Sequence, residues 1–271
     1  MYGFMGSGLI EFARALFGRH AFTRGNITLE GKPAHFRSTA AARRAGLAFV
    51  PENRGMMLFR NEPVFKNVSI SMLGRIHRIL LKPQQERVVA QHQIKDLQIR
   101  PPLTDIDLGS LSGGNQQKVA LAKWLTSLPK ILILSEPTRG MDVGAKEDVI
   151  RIIKALRDKG VSILVLSTEP ETILTLADTI YVVKRGTVVS AMTSGTVTKS
   201  DLLTAARERP DEREHRYRRR QELQSQAGHR RQAAYAGAAA HPRGAGGVLL
   251  FHHHDFRHAR QRGEHHPADV H

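Results

Sequence analysis

The 271-residue chain has no cysteine. That excludes a disulfide framework and suits a reducing compartment without requiring one. It also lacks the roughly 18 consecutive apolar residues that cross a bilayer and shows no secretory leader pattern after Met1, so a soluble or peripheral protein is predicted. A third absence is local. No lysine follows Lys199, and residues 207–271 also lack Ile, Thr, Asn and Met. Thirteen arginines against eight carboxylates give that segment a charge of +5, which leaves +11 of the total +16 for residues 1–206. Apart from the short stretch 248–251 it has no apolar periodicity, so it cannot bury enough surface to offset its ordering entropy and is predicted to be disordered. Losing the residues encoded by AT-rich codons also reads as translation of GC-rich DNA in a shifted frame; a genuine basic tail is the other reading. His252, His253 and His254 carry metal-ligand side chains, but a lone triplet in such a segment is read as incidental, and no metal site is assigned.

What is present lies in residues 1–206. A chain of this length with 41% apolar residues can bury a sizeable core in one or two domains. Apolar runs of strand length alternate with stretches of helical spacing, which predicts an α/β fold: a mostly parallel sheet covered on both faces. Phe12, Ala15 and Leu16 mark a first helix ending at Gly18. Residues 26–32 predict an antiparallel strand and turn, and 47–50 a buried strand ending in Pro51-Glu52. Residues 68–81 and 85–97 have helical patterning within a mixed region from about 55 to 110. Further strands are predicted at 131–134, 163–166, 180–183 and 187–191. Between them, Val149, Ile152, Ile153 and Leu156 share one helix face, and Leu202, Leu203, Ala205 and Ala206 close the last element. There is no internal repeat.

Two stretches carry chemistry. Leu111-Ser112-Gly113-Gly114-Asn115-Gln116-Gln117-Lys118 opens a helix marked by Val119, Ala122, Leu125 and Leu128. A hydroxyl and two glycine amides at the positive end of a helix suit an anion, and the missing side chains permit close approach. Downstream, an apolar strand runs into Ser135-Glu136-Pro137-Thr138, followed by Gly140-Met141-Asp142. Near the start, Gly3-Phe4-Met5-Gly6-Ser7-Gly8 has the spacing of a phosphate-binding loop; alone, such a run is also found as a flexible turn.

Taken in order and spacing, these runs resemble the signature motif, Walker B strand and D-loop of ATP-binding cassette (ABC) ATPases. LSGGNQQK followed by EPTRG-D-VGAK looks most like the second nucleotide-binding half of bacterial monosaccharide importers of the ribose, xylose and galactose type. The resemblance covers about residues 3 to 206. It implies a P-loop NTPase cassette of three layers with an inserted helical subdomain at about 55–110. It also implies ATP and Mg²⁺ as ligands, a second nucleotide-binding half and an integral-membrane permease as partners, and a sugar-binding protein as an indirect one. The implied location is the cytoplasmic face of the plasma membrane. No nucleic-acid partner is implied, and the body lacks a basic run interleaved with aromatics. Two rivals stand beside this reading: a non-transport ABC protein acting on nucleic acid, suggested by the basic charge, and the inert product of a disrupted gene.

Set against the family pattern, this chain departs at several positions. After Gly3, Gly6, Ser7 and Gly8 the family places Lys on the β- and γ-phosphates and Ser or Thr on Mg²⁺; here stand Leu9 and Ile10. Ser135 replaces the Walker B Asp, Glu52 replaces the Q-loop Gln, and Thr168 replaces the switch His. Glu136 matches the general base and Asp142 the D-loop Asp, although a satisfied turn carboxylate is the plainer role for Asp142. The signature Leu111–Gln116 is intact and would complete a site on a partner half, while the damaged loop would belong to a non-hydrolysing site. Only Met1 and Tyr2 precede the loop, so its supporting strand is predicted to be missing, along with the upstream aromatic that stacks on adenine. That would leave strands such as 131–134 beside an unfilled place in the sheet, with aggregation to follow.

Overall fold

A computed structural model describes residues 1–20, 25–73, 82–127 and 129–207. Leu128, the second half of the helix expected at 68–81, and the tail from 208 onward with its histidines lie outside the described residues. The elements follow the sequence closely. Helix α1 (Leu9–Leu16) buries Leu9, Phe12, Ala13 and Leu16, and Gly8 caps it with a φ of 99°. Strands β1 (Ile27–Leu29) and β2 (Lys32–Ala34) form an antiparallel hairpin. Its turn puts both Glu30 and Gly31 at positive φ, 51° and 75°, as a tight two-residue hairpin turn requires. Helix α2 (Thr39–Arg44) is capped by the Ser38 hydroxyl, which accepts from the Ala41 amide.

Strands β3 (Leu47–Val50), β4 (Ile131–Ser135) and β5 (Ser162–Leu166) form a parallel sheet in that order. Alternation along the strands divides the core into two layers. Leu47, Phe49, Ile133 and Leu166 join α1 in one apolar cluster. Ala48, Val50, Leu132, Leu134 and Val165 join the helices of the other face. Those helices are α5 (Gly113–Leu125), α6 (Val143–Asp158) and α7 (Pro170–Leu176). Strands β6 (Thr179–Lys184) and β7 (Thr187–Thr193) pair antiparallel, and α8 (Lys199–Arg207) packs behind them with Leu202, Ala205 and Ala206 buried.

The first strand is not wholly missing. Met1 and Tyr2 lie between β5 and β6, with Tyr2 bridging Ser167 on one side and Val182 on the other, both parallel. The Tyr2 amide donates to the Tyr181 carbonyl (2.8 Å) and the Val183 amide to the Tyr2 carbonyl (2.7 Å). The expectation that β4 borders an unfilled place is therefore corrected. β4 is paired on both sides, and the two residues of the first strand sit between β5 and β6. Their register is fixed by burial, since Tyr2 is fully enclosed.

The region from 55 to 110 contains α3 (Val64–Ser69) and α4 (Pro83–Asp96). Helix α3 begins earlier than the expected 68 because Pro63 breaks the chain ahead of Val64. Asn67 is fully buried and organises the loop before it: its Oδ1 accepts from the Phe59 amide (2.8 Å) while Nδ2 donates to the carbonyls of Phe59, Glu62 and Pro63. The Ser69 hydroxyl donates to the buried Glu86 carboxylate at 2.5 Å, joining α3 to α4.

Lysine 118 ties this region to the sheet. Its ammonium, with only 6% of the side chain exposed, donates to Asp148 Oδ2 on α6 (2.7 Å) and to the Gln98 carbonyl after α4 (3.1 Å). The bond from Lys118 is the main reason the Asp148 carboxyl is held below its usual range. A carboxyl held low adds stability above its unfolded pKa of about 3.9 and loses it as pH falls through the folded value. Asp148→Asn is expected to destabilise the chain at neutral pH by about 1–2 kcal/mol, below the range for breaking a fully buried pair, because Asp148 keeps 35% exposure. Urea unfolding at pH 7 and pH 3 checks this: the gap between wild type and variant should shrink at the lower pH.

Candidate functional site

The glycine loop leaves Tyr2 at the carboxyl end of the sheet and turns into α1. Gly6 and Gly8 both have positive φ, 75° and 99°, and a β-carbon on Gly6 would meet nothing within 4 Å. The loop backbone at Gly6 is thus open to an approaching anion, next to a helix N-terminus. Gly3 is needed for a different reason: a β-carbon there would lie 2.5 Å from the Val183 carbonyl oxygen. Ser7 is buried, its backbone amide donates to the Phe4 carbonyl (2.9 Å), and its hydroxyl has no partner. Leu9, at the position of the phosphate lysine, is buried in the apolar cluster under α1, and Ile10 is half-buried. The loop therefore offers backbone amides and one orphaned hydroxyl but no charge. These groups fit a phosphate; among the described residues no cluster of His, Cys, Asp or Glu fits a directly held divalent cation.

Beside the loop, β4 ends in Ser135, which is almost fully buried, and then Glu136. Glu136 adopts a left-handed φ of 48°, a conformation that non-glycine residues rarely take and that clusters at functional sites. Its amide donates to the Leu166 carbonyl (2.8 Å), which turns the side chain toward the end of β5. There Oε2 accepts from the Ser167 hydroxyl (2.8 Å) and Oε1 from the Thr168 amide (2.6 Å). Both carboxylate oxygens are engaged by the chain itself, so this group is held as an acceptor. Thr168 contributes through its backbone. Glu52, exposed after β3, accepts from Arg139 Nη1 at 3.3 Å and bridges to the Pro137–Gly140 turn.

The signature run stands apart from the loop; among the described residues no hydrogen bond joins the two. Ser112 is exposed at the start of α5, and its hydroxyl accepts from the Asn115 amide (3.4 Å) and Asn115 Nδ2 (3.0 Å). Asn115 Oδ1 accepts from the Arg100 amide (2.9 Å), and Gln116 Nε2 donates to the Leu111 carbonyl (2.8 Å). Leu111 is buried beneath. Gly114 faces α6 so closely that a β-carbon would lie 2.7 Å from Ala145 Cβ. Asp142 begins that helix, its Oδ1 accepting from the Ala145 amide (2.8 Å). The structure thus gathers the glycine loop, Ser135, Glu136 and Thr168 in one place, and Ser112–Gln116 with Asp142 in another.

Sequence reasoning missed the groups that join these places. Glu169, following Thr168, accepts from Thr138 Oγ1 (3.1 Å), Thr172 Oγ1 (3.0 Å) and Lys146 Nζ of α6 (3.1 Å). Desolvation pushes its carboxyl up, but the bonds from Lys146, Thr172 and Thr138 outweigh this and hold it below the usual range. Its amide donates to the Ser167 hydroxyl (3.0 Å), which itself reaches Glu136. Pro170 after an acidic residue signals a helix start; nothing in the sequence signals a contact with Lys146.

Asp142 has a measurable structural share. Asp142→Ala removes the cap and should cost about 1 kcal/mol, whereas Asp142→Asn keeps a capping oxygen and should stay within a few tenths. Urea unfolding of the two variants separates the capping role from any role of the charge.

Residues 1–139 match the family model described as ABC transporter. The ribose import ATP-binding protein RbsA of Oceanobacillus iheyensis is 35% identical over 208 residues, 75% of this chain and 42% of that protein. Ribose import ATP-binding protein RbsA 1 of Rhizobium meliloti is 37% identical over 76% of this chain and 41% of its own length. The chain thus spans about two fifths of the curated relatives it matches. Among solved structures, a nucleotide-free ATP-binding cassette from an ABC transporter superposes with a TM-score of 0.63 at 18% identity, covering 76% of this chain and 83% of that one. A post-hydrolysis cassette bound to ADP and phosphate superposes with a TM-score of 0.61 at 20% identity, over 71% and 83%. The fold is that of ABC ATPase cassettes, and the chain belongs to the ABC transporter family.

Proposed function

We propose that this chain acts as the second, signature-donating nucleotide-binding half of a sugar importer. It would energise carbohydrate uptake from the cytoplasmic face of the membrane, where no helix of its described residues is long and apolar enough to cross. One contrast carries the reading. The signature is intact at a helix N-terminus, with Ser112 exposed, Gly113 half-buried and Gly114 buried against α6, while the chain's own loop has the apolar Leu9 and Ile10 where phosphate and metal ligands belong. Its relatives at 35–37% identity are ribose import ATP-binding proteins, which supports a sugar as cargo and a permease, a sugar-binding protein and a first cassette half as partners.

The residues divide the work. ATP bound on the partner's loop would meet Ser112 and the amides of Gly113 and Gly114 as neutral and helix-dipole donors to its phosphates. Asp142 would face the same interface from the start of α6. At the chain's own loop, the backbone around Gly6 and the Ser7 hydroxyl would hold a nucleotide weakly. With Ser135 in place of a carboxylate, Mg²⁺ would be retained mainly by the nucleotide. Glu136, held by Ser167 and Thr168, has no lysine or metal ligand to act with.

The purified chain is therefore expected to hydrolyse no ATP above background, since groups acting on the transferring phosphoryl are worth several powers of ten. Mg-dependent turnover abolished by Glu136→Gln would overturn this. Co-expressed with a cassette half whose loop retains its lysine, the chain should support ATPase activity that Ser112→Arg abolishes, because the added bulk and charge occupy the phosphate position. An unaffected heteromer would mean that the signature is a relic.

A further inference from the structure

The loop after β3 contains an arginine that the reading so far leaves unused. Arg54 opens a short 3₁₀ turn, Arg54–Met56, in which the Asn53 side chain accepts from the Gly55 amide at 3.0 Å. The Arg54 carbonyl accepts from the amides of Met57 (3.0 Å) and Leu58 (2.9 Å). The loop is fastened to the signature helix by Lys123 of α5, whose ammonium donates to the Met57 carbonyl at 2.5 Å. This places the Arg54 guanidinium at the first residue of α5: a β-carbon on Gly113 would lie 3.5 Å from Arg54 Nη2.

That position is electrostatically odd. The N-terminus of α5 already carries the positive end of the helix dipole, where a cation is disfavoured and an anion welcome. Among the described residues no carboxylate pairs with Arg54. Glu52, two residues upstream, is taken by Arg139, and Asp142 caps α6. Arg54 is also half-buried, and burial alone pulls its guanidinium below the usual arginine range. A half-buried cation beside a helix N-terminus, with no carboxylate partner among the described residues, is a charge arrangement that an incoming polyanion would complete.

We propose that Arg54 is a catalytic residue of the shared site, supplied with Ser112 and Gly113 to the phosphate chain of the nucleotide on the partner half. The inference rests on the signature-donor reading above and adds a cation beside the first residue of α5. Guanidinium geometry allows two hydrogen bonds to one phosphate, so lysine at this position replaces the charge but not the fork.

Two measurements test it. In the heteromer, Arg54→Gln should lower kcat by about 10²-fold or more, as loss of a donor to a transferring phosphoryl does, and Arg54→Lys should recover part of it. Should Arg54→Gln keep wild-type kcat while Ser112→Arg abolishes turnover, the inference falls and the signature-donor reading stands; should both leave turnover intact, the parent reading falls too. The second measurement needs no partner and no variant that must fold. Amide resonances of Gly113 and Gly114 in the isolated wild-type chain should shift on titration with pyrophosphate, and the shift should weaken at high salt. Resonances that stay fixed would overturn the assignment of an anion to Arg54.

Discussion

The contact between α5 and α6 is the one on which the remaining arrangement depends. Gly114 and Lys118 lie one turn apart on α5 and so on one face. Gly114 lets Ala145 approach to a distance that any side chain would forbid, and Lys118 inserts a buried ammonium between Asp148 and the Gln98 carbonyl. The first contact fixes how near the helices lie. The second fixes their register and draws in the helical region that follows α4. Because Ser112 starts α5 and Asp142 starts α6, two exposed helix N-termini are presented side by side. An ammonium with so little exposure tolerates loss of its carboxylate poorly, so the same pair that sets the register of α5 and α6 also resists their separation.

From α6 the connection continues to the sheet. Lys146, two residues before Asp148, reaches Glu169, and Glu169 leads through Ser167 to Glu136. Helix α6 therefore touches both Glu169 after β5 and Gly114 at the start of α5. With both oxygens committed to Ser167 and Thr168, the Glu136 carboxylate ties the end of β4 to the end of β5.

Much of this was legible in the sequence, for physical reasons. The strands 47–50 and 131–134 are continuous apolar runs because both faces of a parallel sheet are covered. The helix starting at Gly113 was legible because two glycines follow a capping serine. That no charge stands at the start of α1 was legible from Leu9 and Ile10. Contacts far apart in sequence were not. Nothing local says that Lys146 meets Glu169, that Arg139 meets Glu52, or that Arg54 lies against Gly113. The first strand was misjudged because two residues suffice to mark its place when Tyr2 is held by partners on both sides.

Trp124, the chain's single tryptophan, lies near the end of α5, and its indole meets Phe17 at the end of α1 edge-on, with ring centroids 5.8 Å apart. Its ring nitrogen is buried without a partner. The indole therefore bridges the helix that follows the glycine loop and the helix that begins with the signature. Its emission reports on that junction alone. The unlabelled protein carries its own optical gauge of whether these two helices shift against each other.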